Sequence, residues 1–413
     1  MASNPQMDAL LKWSVENSNE SGPSAAEIVS DVQAGKRPDL DPKVLEAMMG
    51  KSEAQMMTEE LRSALDTSRS VDDRETALDN FEMLIESIDN ANLISTMKMW
   101  QPLLGLLATE DEPRLQLATL WILGTAVQNN PAAQDALLNA SGPGQEHSLD
   151  TILSLLRNSP DMGVRAKAMY AISGLLGHHP RAVKEFEARG GCEALKSALC
   201  DPSINLRRKA AFFITALLNQ DDSEVQREAS RPLMIGGPAP GSAPSPAPAA
   251  APVSRATGLA PAPNSAAPSS TGPAPYEKPP VTSTAASGVV HPSIPTALIR
   301  SGLLQLLLAS ILPSDSVPAN FTQDAHPAEL GPDGDAQEAR ADEDYAEKAL
   351  RAVAVFVAKG GANAGLDADS KQALKALQGE MSEDGKGMWD WKRLNLDQEE
   401  WERFVEGVER MAA

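Results

Sequence analysis

The 413-residue chain carries only two cysteines, Cys192 and Cys200. That is too few for a disulfide framework, and free thiols are the rule in reducing compartments, so both are read as plain buried thiols. Aromatic side chains are scarce at 4 %, which leaves the core to Leu, Ala, Ile and Val, the filling of stacked helices. Long alternating runs of half-buried strands are missing, so the expected fold class is all-α. Basic excess is missing as well: the formal charge of −21 opposes a phosphate backbone and excludes nucleic-acid binding as a main function. No apolar run approaches the ~20 residues needed to span a bilayer. The longest, Leu303–Leu312, is interrupted by Gln305. The opening stretch Met7–Trp13 is too short and too polar for the apolar core of a signal sequence. The expectation is a soluble, cytoplasmic, monomeric protein that binds no membrane. Gly-rich phosphate loops, HExxH and GxSxG are absent, so no catalytic residue, metal or cofactor is expected. His178-His179-Pro180 has no Asp, Glu or Cys at ligand spacing and reads as the end of a helix.

What the chain does have is one helical pattern that returns in Leu115–Val127, Val164–Leu176, Leu206–Leu218 and Tyr345–Val357. Superposed, these segments place Leu123, Ile172, Ile214 and Val353 in one apolar column and Ala126, Leu175, Leu217 and Phe356 in the next. The columns at Ile122, Ala171, Phe213 and Ala352, and at Val127, Leu176, Leu218 and Val357, are apolar too. Spacing of three and four within each segment is the buried stripe of an amphipathic helix. A recurrence of about 42 residues, with shorter helices between the long ones, predicts an armadillo-repeat solenoid of about four to five repeats, capped at both ends. Arg74–Ile88 fits the columns poorly, because Glu82 and Glu86 fall at apolar places, and reads as the N-terminal cap. Shorter helices are expected over Leu93–Leu107, Ala132–Leu138, Leu149–Leu156, Ala182–Phe186 and Ala194–Leu199.

Composition divides the rest. Residues 1–60 hold short amphipathic helices with too few apolar residues for a core of their own, and read as largely mobile, packed on the solenoid or folding on a partner. Residues 61–230 are the repeats. Residues 231–293 form a Pro/Ala/Ser/Gly-rich insertion expected to be disordered, because it cannot offset its ordering entropy. Residues 294–312 continue the repeat, 313–340 form an acidic loop, and 341–413 hold the last repeat helix and a C-terminal cap. Both interruptions are expected inside one repeat. Trp389, Trp391 and Trp401 read as part of that cap, with peptide docking by Trp389 and Trp391 as the alternative.

Against the acidic background one basic group stands out. Arg165 and Lys167 are matched by Arg207, Arg208 and Lys209 in the next repeat and by Lys348 in the last. On adjacent helices roughly 8–10 Å apart they would form a ladder along the groove. Two readings stay open: solvated helix ends, or a docking strip for an acidic protein surface. The Trp/Asn ladder with which nuclear-import adaptors hold basic peptides is missing, since Trp121 is followed by Thr125, Tyr170 by Gly174 and Phe212 by Ala216. Without a further clue, the chain is a scaffold for an unrelated acidic partner.

The further clue is a resemblance. Leu10-Leu11-Lys12-Trp13-Ser14-Val15-Glu16-Asn17-Ser18, followed by Asp41-Pro42-Lys43-Val44-Leu45 and Gly50, resembles the opening of the armadillo-type nucleotide-exchange factors of the 70-kDa heat-shock chaperone, typified by the heat-shock-70-binding protein and its fungal cytosolic counterparts. The likeness continues through Leu120–Pro131 and Arg207–Leu218 and covers about residues 7–220; the long insertion departs from the family's compact core. It implies that the concave face embraces one lobe of the chaperone's ATPase domain and speeds ADP release and client release without catalysis. Arg165, Lys167, Arg207, Arg208 and Lys209 are then the expected contacts. Leu10, Leu11, Trp13 and Val15 are a candidate second contact, at the chaperone's client-binding domain.

Overall fold

A computed structural model of the chain describes residues 51–108, 112–220, 291–313, 315–321, 342–359, 365–381 and 396–412, with the backbone of 329–330 and 336–337. Leu10, Leu11, Trp13 and Val15, the tract 236–275, and Trp389 and Trp391 lie outside the described residues.

The first described helix, α1 (Glu53–Leu65), starts at a capping box in which Ser52 accepts the Gln55 amide N–H and Gln55 accepts the Ser52 N–H. It packs on α2 (Val71–Ile85), which starts three residues before the expected helix because Ser70 accepts the Asp73 N–H. Position 60, drawn above as a boundary, lies inside α1. Met57 and Leu61 on either side of it are buried, so the stack begins by residue 53.

Three-helix units follow. The first is α3 (Ile88–Thr96), α4 (Trp100–Leu106) and α5 (Pro113–Val127). The second is α6 (Pro131–Leu138), α7 (Ser148–Asn158) and α8 (Met162–Leu176). The third is α9 (Pro180–Ala188), α10 (Gly191–Leu199) and α11 (Ile204–Gln220). The fourth is α12 (Ile294–Ser301), α13 (Leu303–Ile311) and α14 (Glu343–Ala358). α15 (Ala368–Glu380) and α16 (Gln398–Ala412) cover the open end, packing on each other while α16 also packs on α14. Trp401, half-buried, stacks on Phe404 with ring centroids 5.7 Å apart. One short helix followed by another and then a long one, repeated and stacked so that α2, α5, α8, α11 and α14 pack in series, is the armadillo plan. The fold is all-α; among the described residues the extended pairing is a short antiparallel pair, β1 (Glu329–Leu330) with β2 (Ala336–Gln337), and an isolated bridge between Ser141 and His147.

The four expected long helices are present, and every residue of the four apolar columns is buried. Their repeat-to-repeat joint is built from the same parts twice. Asn129 and His178, both at φ 53, turn the chain out of α5 and α8. Asn130 and His179 then accept the Ala133 and Ala182 N–H groups and cap α6 and α9, each just before a helix-opening proline. His178-His179 is thus a joint, and burial holds the His179 imidazole below its usual pKa. Among the described residues, no cluster of His, Cys, Asp or Glu could hold a metal.

Two expected helices are split. Leu93–Leu107 breaks at Lys98, φ 58, and Ile294–Leu312 breaks at Gly302, φ 78, where the axis turns by 75°. The bend lets α13 bury Leu303, Leu304, Leu307 and Leu308 against α10, α14 and α15. No single helix among the described residues is long and apolar enough to cross a membrane. Residues 221–290 enter between the third and fourth units, and only the acidic loop interrupts a unit from within. Neither Cys192 nor Cys200 is in a disulfide, and both are half-buried rather than fully buried. Burial pushes the Cys192 thiol up in pKa.

Candidate functional site

The basic ladder resolves into two sets that face opposite ways. Residues two apart on an α-helix point about 200° apart, so Arg165 and Lys167 cannot share a face, nor can Arg207 and Lys209. Arg74, Gln116, Arg165 and Arg207 occupy equivalent places on successive long helices, and three of them hold the end of the preceding helix. Arg74 donates to the Ala64 carbonyl at 2.8 Å, Gln116 to Leu107 at 3.0 Å and Arg165 to Ser159 at 2.8 Å. Arg165 also grips both carboxylate oxygens of Asp201, at 2.6 and 3.1 Å. Arg207 is fully buried, its guanidinium 5.9 Å from the centre of the Tyr345 ring. These two arginines are corrections to the expected contacts: Arg207 has no access to a partner, and Arg165 is committed to its own fold. Arg208, partly exposed, forks onto Asp342 and pairs with Asp344 at 3.1 Å, latching α11 to the start of α14. Lys348 pairs with that same Asp344.

Lys167 and Lys209 remain on the surface, and they keep company that the basic pattern alone did not single out. One turn further along each helix stand Tyr170 on α8 and Phe212 on α11, in the column that holds Trp121 on α5. Phe212 is 60 % exposed and Trp121 39 %, unusual for large apolar side chains in a packed stack. The Lys167 ammonium lies 3.5 Å from the Trp121 ring centroid and 5.4 Å from that of Tyr170, a cation held over aromatic faces across a repeat junction. Burial, and then the charge of Lys209, hold Lys167 below the ordinary lysine pKa, with Glu82 opposing. At the N-terminal side Thr125 donates to Glu82 at 2.7 Å and ties α5 to α2.

A glycine pair sets the geometry. A Cβ on Gly174 would lie 3.0 Å from the Gly124 carbonyl oxygen, and one on Gly124 would lie 2.4 Å from the Tyr170 ring. The two helices therefore approach closely and Tyr170 lies over α5. Beside it, between α8 and α11, opens a cleft of about 530 Å³ lined by Tyr170, Gly174, Lys209, Phe212 and Ala216 among others. Apolar Met169, Phe212 and Phe213 and the small Gly174, Gly177 and Ala216 share its lining with the polar Gln128, Asn129 and Gln220, and Lys209 brings a cation. The signal for this arrangement was present in the sequence, since Trp121, Tyr170 and Phe212 recur at the spacing of the lysines.

Two family models match the chain: the nucleotide exchange factor Fes1 over residues 7–94, and the SIL1/FES1/HPBP1 C-terminal domain over residues 90–232. An Hsp70 nucleotide exchange factor FES1 of Mycosarcoma maydis is 42 % identical over 366 residues, 87 % of this chain and 85 % of that protein. One from Cryptococcus neoformans is 37 % identical over 48 % of this chain and 53 % of its own length, and one from Saccharomyces cerevisiae 31 % identical over 52 % and 71 %. Among solved structures, a designed armadillo repeat protein in complex with a (KR)4 peptide covers 87 % of this chain and all of its own, at TM-score 0.45 and 14 % identity. The armadillo plan of this chain rests instead on its own three-helix units. With sequence likeness running through nearly the whole of the Mycosarcoma relative, the chain belongs to the FES1 family of Hsp70 nucleotide exchange factors.

Proposed function

We propose that the protein binds the ATPase domain of a cytosolic 70-kDa heat-shock chaperone through its concave face, accelerates ADP release and so promotes client release. Family membership supplies the co-chaperone role. The observation that carries the finer reading is the stripe of exposed Trp121 and Phe212 and half-buried Tyr170, with Lys167 and Lys209 beside it, on the helices that line the inner face in an armadillo stack. No catalytic group is required. A surface that fits the open nucleotide cleft better than the closed one shifts the population toward the open form, and ADP leaves. Linkage makes this reciprocal: nucleotide must weaken this protein's binding by the same factor by which the protein weakens nucleotide binding.

The test is stopped-flow release of a fluorescent ADP analogue from such a chaperone, with the wild type and with Phe212→Ala combined with Lys209→Glu. Acceleration that the double variant loses supports the inner face as the site. Acceleration that survives keeps exchange activity and removes this face. No acceleration leaves an armadillo scaffold for another partner.

The segment with Leu10, Leu11, Trp13 and Val15 belongs to the same proposal as a second contact that mimics client. Because α1 starts at Glu53 and is part of the stack, the informative deletion is residues 1–50. It should spare ADP release and slow client release, and unchanged client release would reduce the segment to a structural role.

A further inference from the structure

We infer that the inner face is electrically polarised along the stack and admits its partner in one direction only, with basic partner surface against α2 and acidic partner surface against α8 and α11. The inference rests on the functional reading above. On α2 and its C-cap stand Glu75, Asp79, Glu82 and Glu86. The one cation of that helix, Arg74, is buried and spent on Ala64 and Glu112. Arg114 of α5 pairs with Asp72 and Glu75 and offsets part of that charge, while burial and the neighbouring Glu75 still raise the pKa of Asp79, so carboxylates remain in excess at this pole. The place that Asp79 holds on α2 is taken by Trp121, Tyr170 and Phe212 on the next three long helices. One turn before the last two stand Lys167 and Lys209, close enough for the Lys209 charge to disfavour that of Lys167.

Read along the inner face, the order is carboxylates on α2, Trp121 on α5, then Tyr170 and Phe212 with Lys167 and Lys209 on α8 and α11, beside a cleft lined by apolar, small and polar side chains. In a chain of net charge −21 the acidic pole is ordinary and the basic one is not. The occupant that fits is a folded surface carrying an aliphatic anchor for the cleft, carboxylates beside it and a cation about two repeats away. Reversed docking would set carboxylate against carboxylate and lysine against cation, and like charges in contact reject an orientation more sharply than matched ones reward it.

The experiment measures affinity and association rate between the full chain and the chaperone's ATPase domain at low salt, with ADP release recorded in parallel. Lys167→Glu with Lys209→Glu should weaken binding about tenfold or more, chiefly through the association rate. Because Lys167 packs on Trp121, Lys209→Glu alone is the second variant, expected to cost about threefold. Asp79→Lys with Glu86→Lys, both exposed, should also weaken binding, by about fivefold. A uniformly acidic partner predicts the opposite sign for this last pair. Unchanged or tighter binding by it, or unchanged binding by Lys209→Glu, overturns the polarised face while wild-type ADP release leaves the functional reading standing. If the wild type does not accelerate ADP release, the functional reading falls and takes this inference with it.

Discussion

Arg207 and Lys209 stand two residues apart on one helix, and everything that distinguishes them follows from the angle between them. Arg207 points into the stack beside Tyr345, where the low-dielectric surroundings push the phenol up to about 12. Lys209 points to the cleft. Replacing a buried cation by a carboxylate leaves an uncompensated charge inside, a change that typically costs about 3–5 kcal/mol. Arg207→Glu should therefore lower the urea midpoint sharply or abolish soluble protein, whereas Lys209→Glu should stay within about 0.5 kcal/mol of wild type. Equilibrium unfolding of both variants separates a fold residue from a surface residue, and similar losses in the two would refute the assignment. The 200° separation was legible in the sequence, as was the match of Arg165 and Arg207 to Arg74 and Gln116. What hid it was treating Arg, Arg and Lys as one charged block: net charge has no direction, and helical phase does.

Between elements, the decisive features are close approach and latching. α5 and α8 meet through Gly124 and Gly174, where a Cβ on the latter would press on a backbone oxygen that cannot swing aside. Gly174→Val should cost about 2–3 kcal/mol by overpacking. It should also displace Tyr170, read as weaker partner binding in the fraction that remains folded. α14 is latched differently, since Asp342 both accepts the Tyr345 N–H at 2.7 Å as N-cap and takes the Arg208 fork. Burial raises the Asp342 carboxyl, but Arg208 and the cap amide outweigh it and the net pKa lies below the ordinary 3.8. A group depressed in the folded state adds stability above its unfolded value, and that stability is lost as pH falls through the folded one. Asp342→Asn, which keeps a capping oxygen, should thus be less stable than wild type by about 1 kcal/mol near neutrality, the gap closing as the medium is taken below about pH 4. A gap that is constant with pH would assign the loss to packing instead. The four column-bearing helices were readable from sequence to within two residues because their columns are periodic, whereas α2, which fits the columns poorly, was placed three residues late. The break at Gly302 was readable in principle from a glycine amid leucines. The break at Lys98 was not, because lysine has no preference for positive φ and so leaves no local signature.

At the scale of the whole molecule, the informative fact is that α11 and α14 pack on each other although residues 221–342 separate them in sequence. The recurrence of apolar columns made that pairing visible, because Tyr345–Val357 repeats the pattern of Leu206–Leu218. The helical signal over Ile294–Leu312 was legible too, but not that this segment opens a new unit, so that the Pro/Ala/Ser tract enters between units. Periodicity marks the helices that share a role and is silent on short helices of varied sequence. The tract's place between units yields a pair of opposed expectations. Deleting residues 232–290 shortens the connection from about seventy residues to about eleven, which on loop-closure entropy alone favours folding by about 1.6 kcal/mol. The variant should unfold at an equal or higher urea midpoint with an unchanged denaturant slope. Ending the chain at Gln220 instead strips α14 from α11. It uncovers Arg207 where Tyr345 had lain and leaves Arg208 without Asp342, so its midpoint should fall and its slope change. Equal midpoints for the truncated and intact chains would mean that the first three units fold without the fourth. α14 would then be an addition to a finished solenoid rather than the helix that closes it.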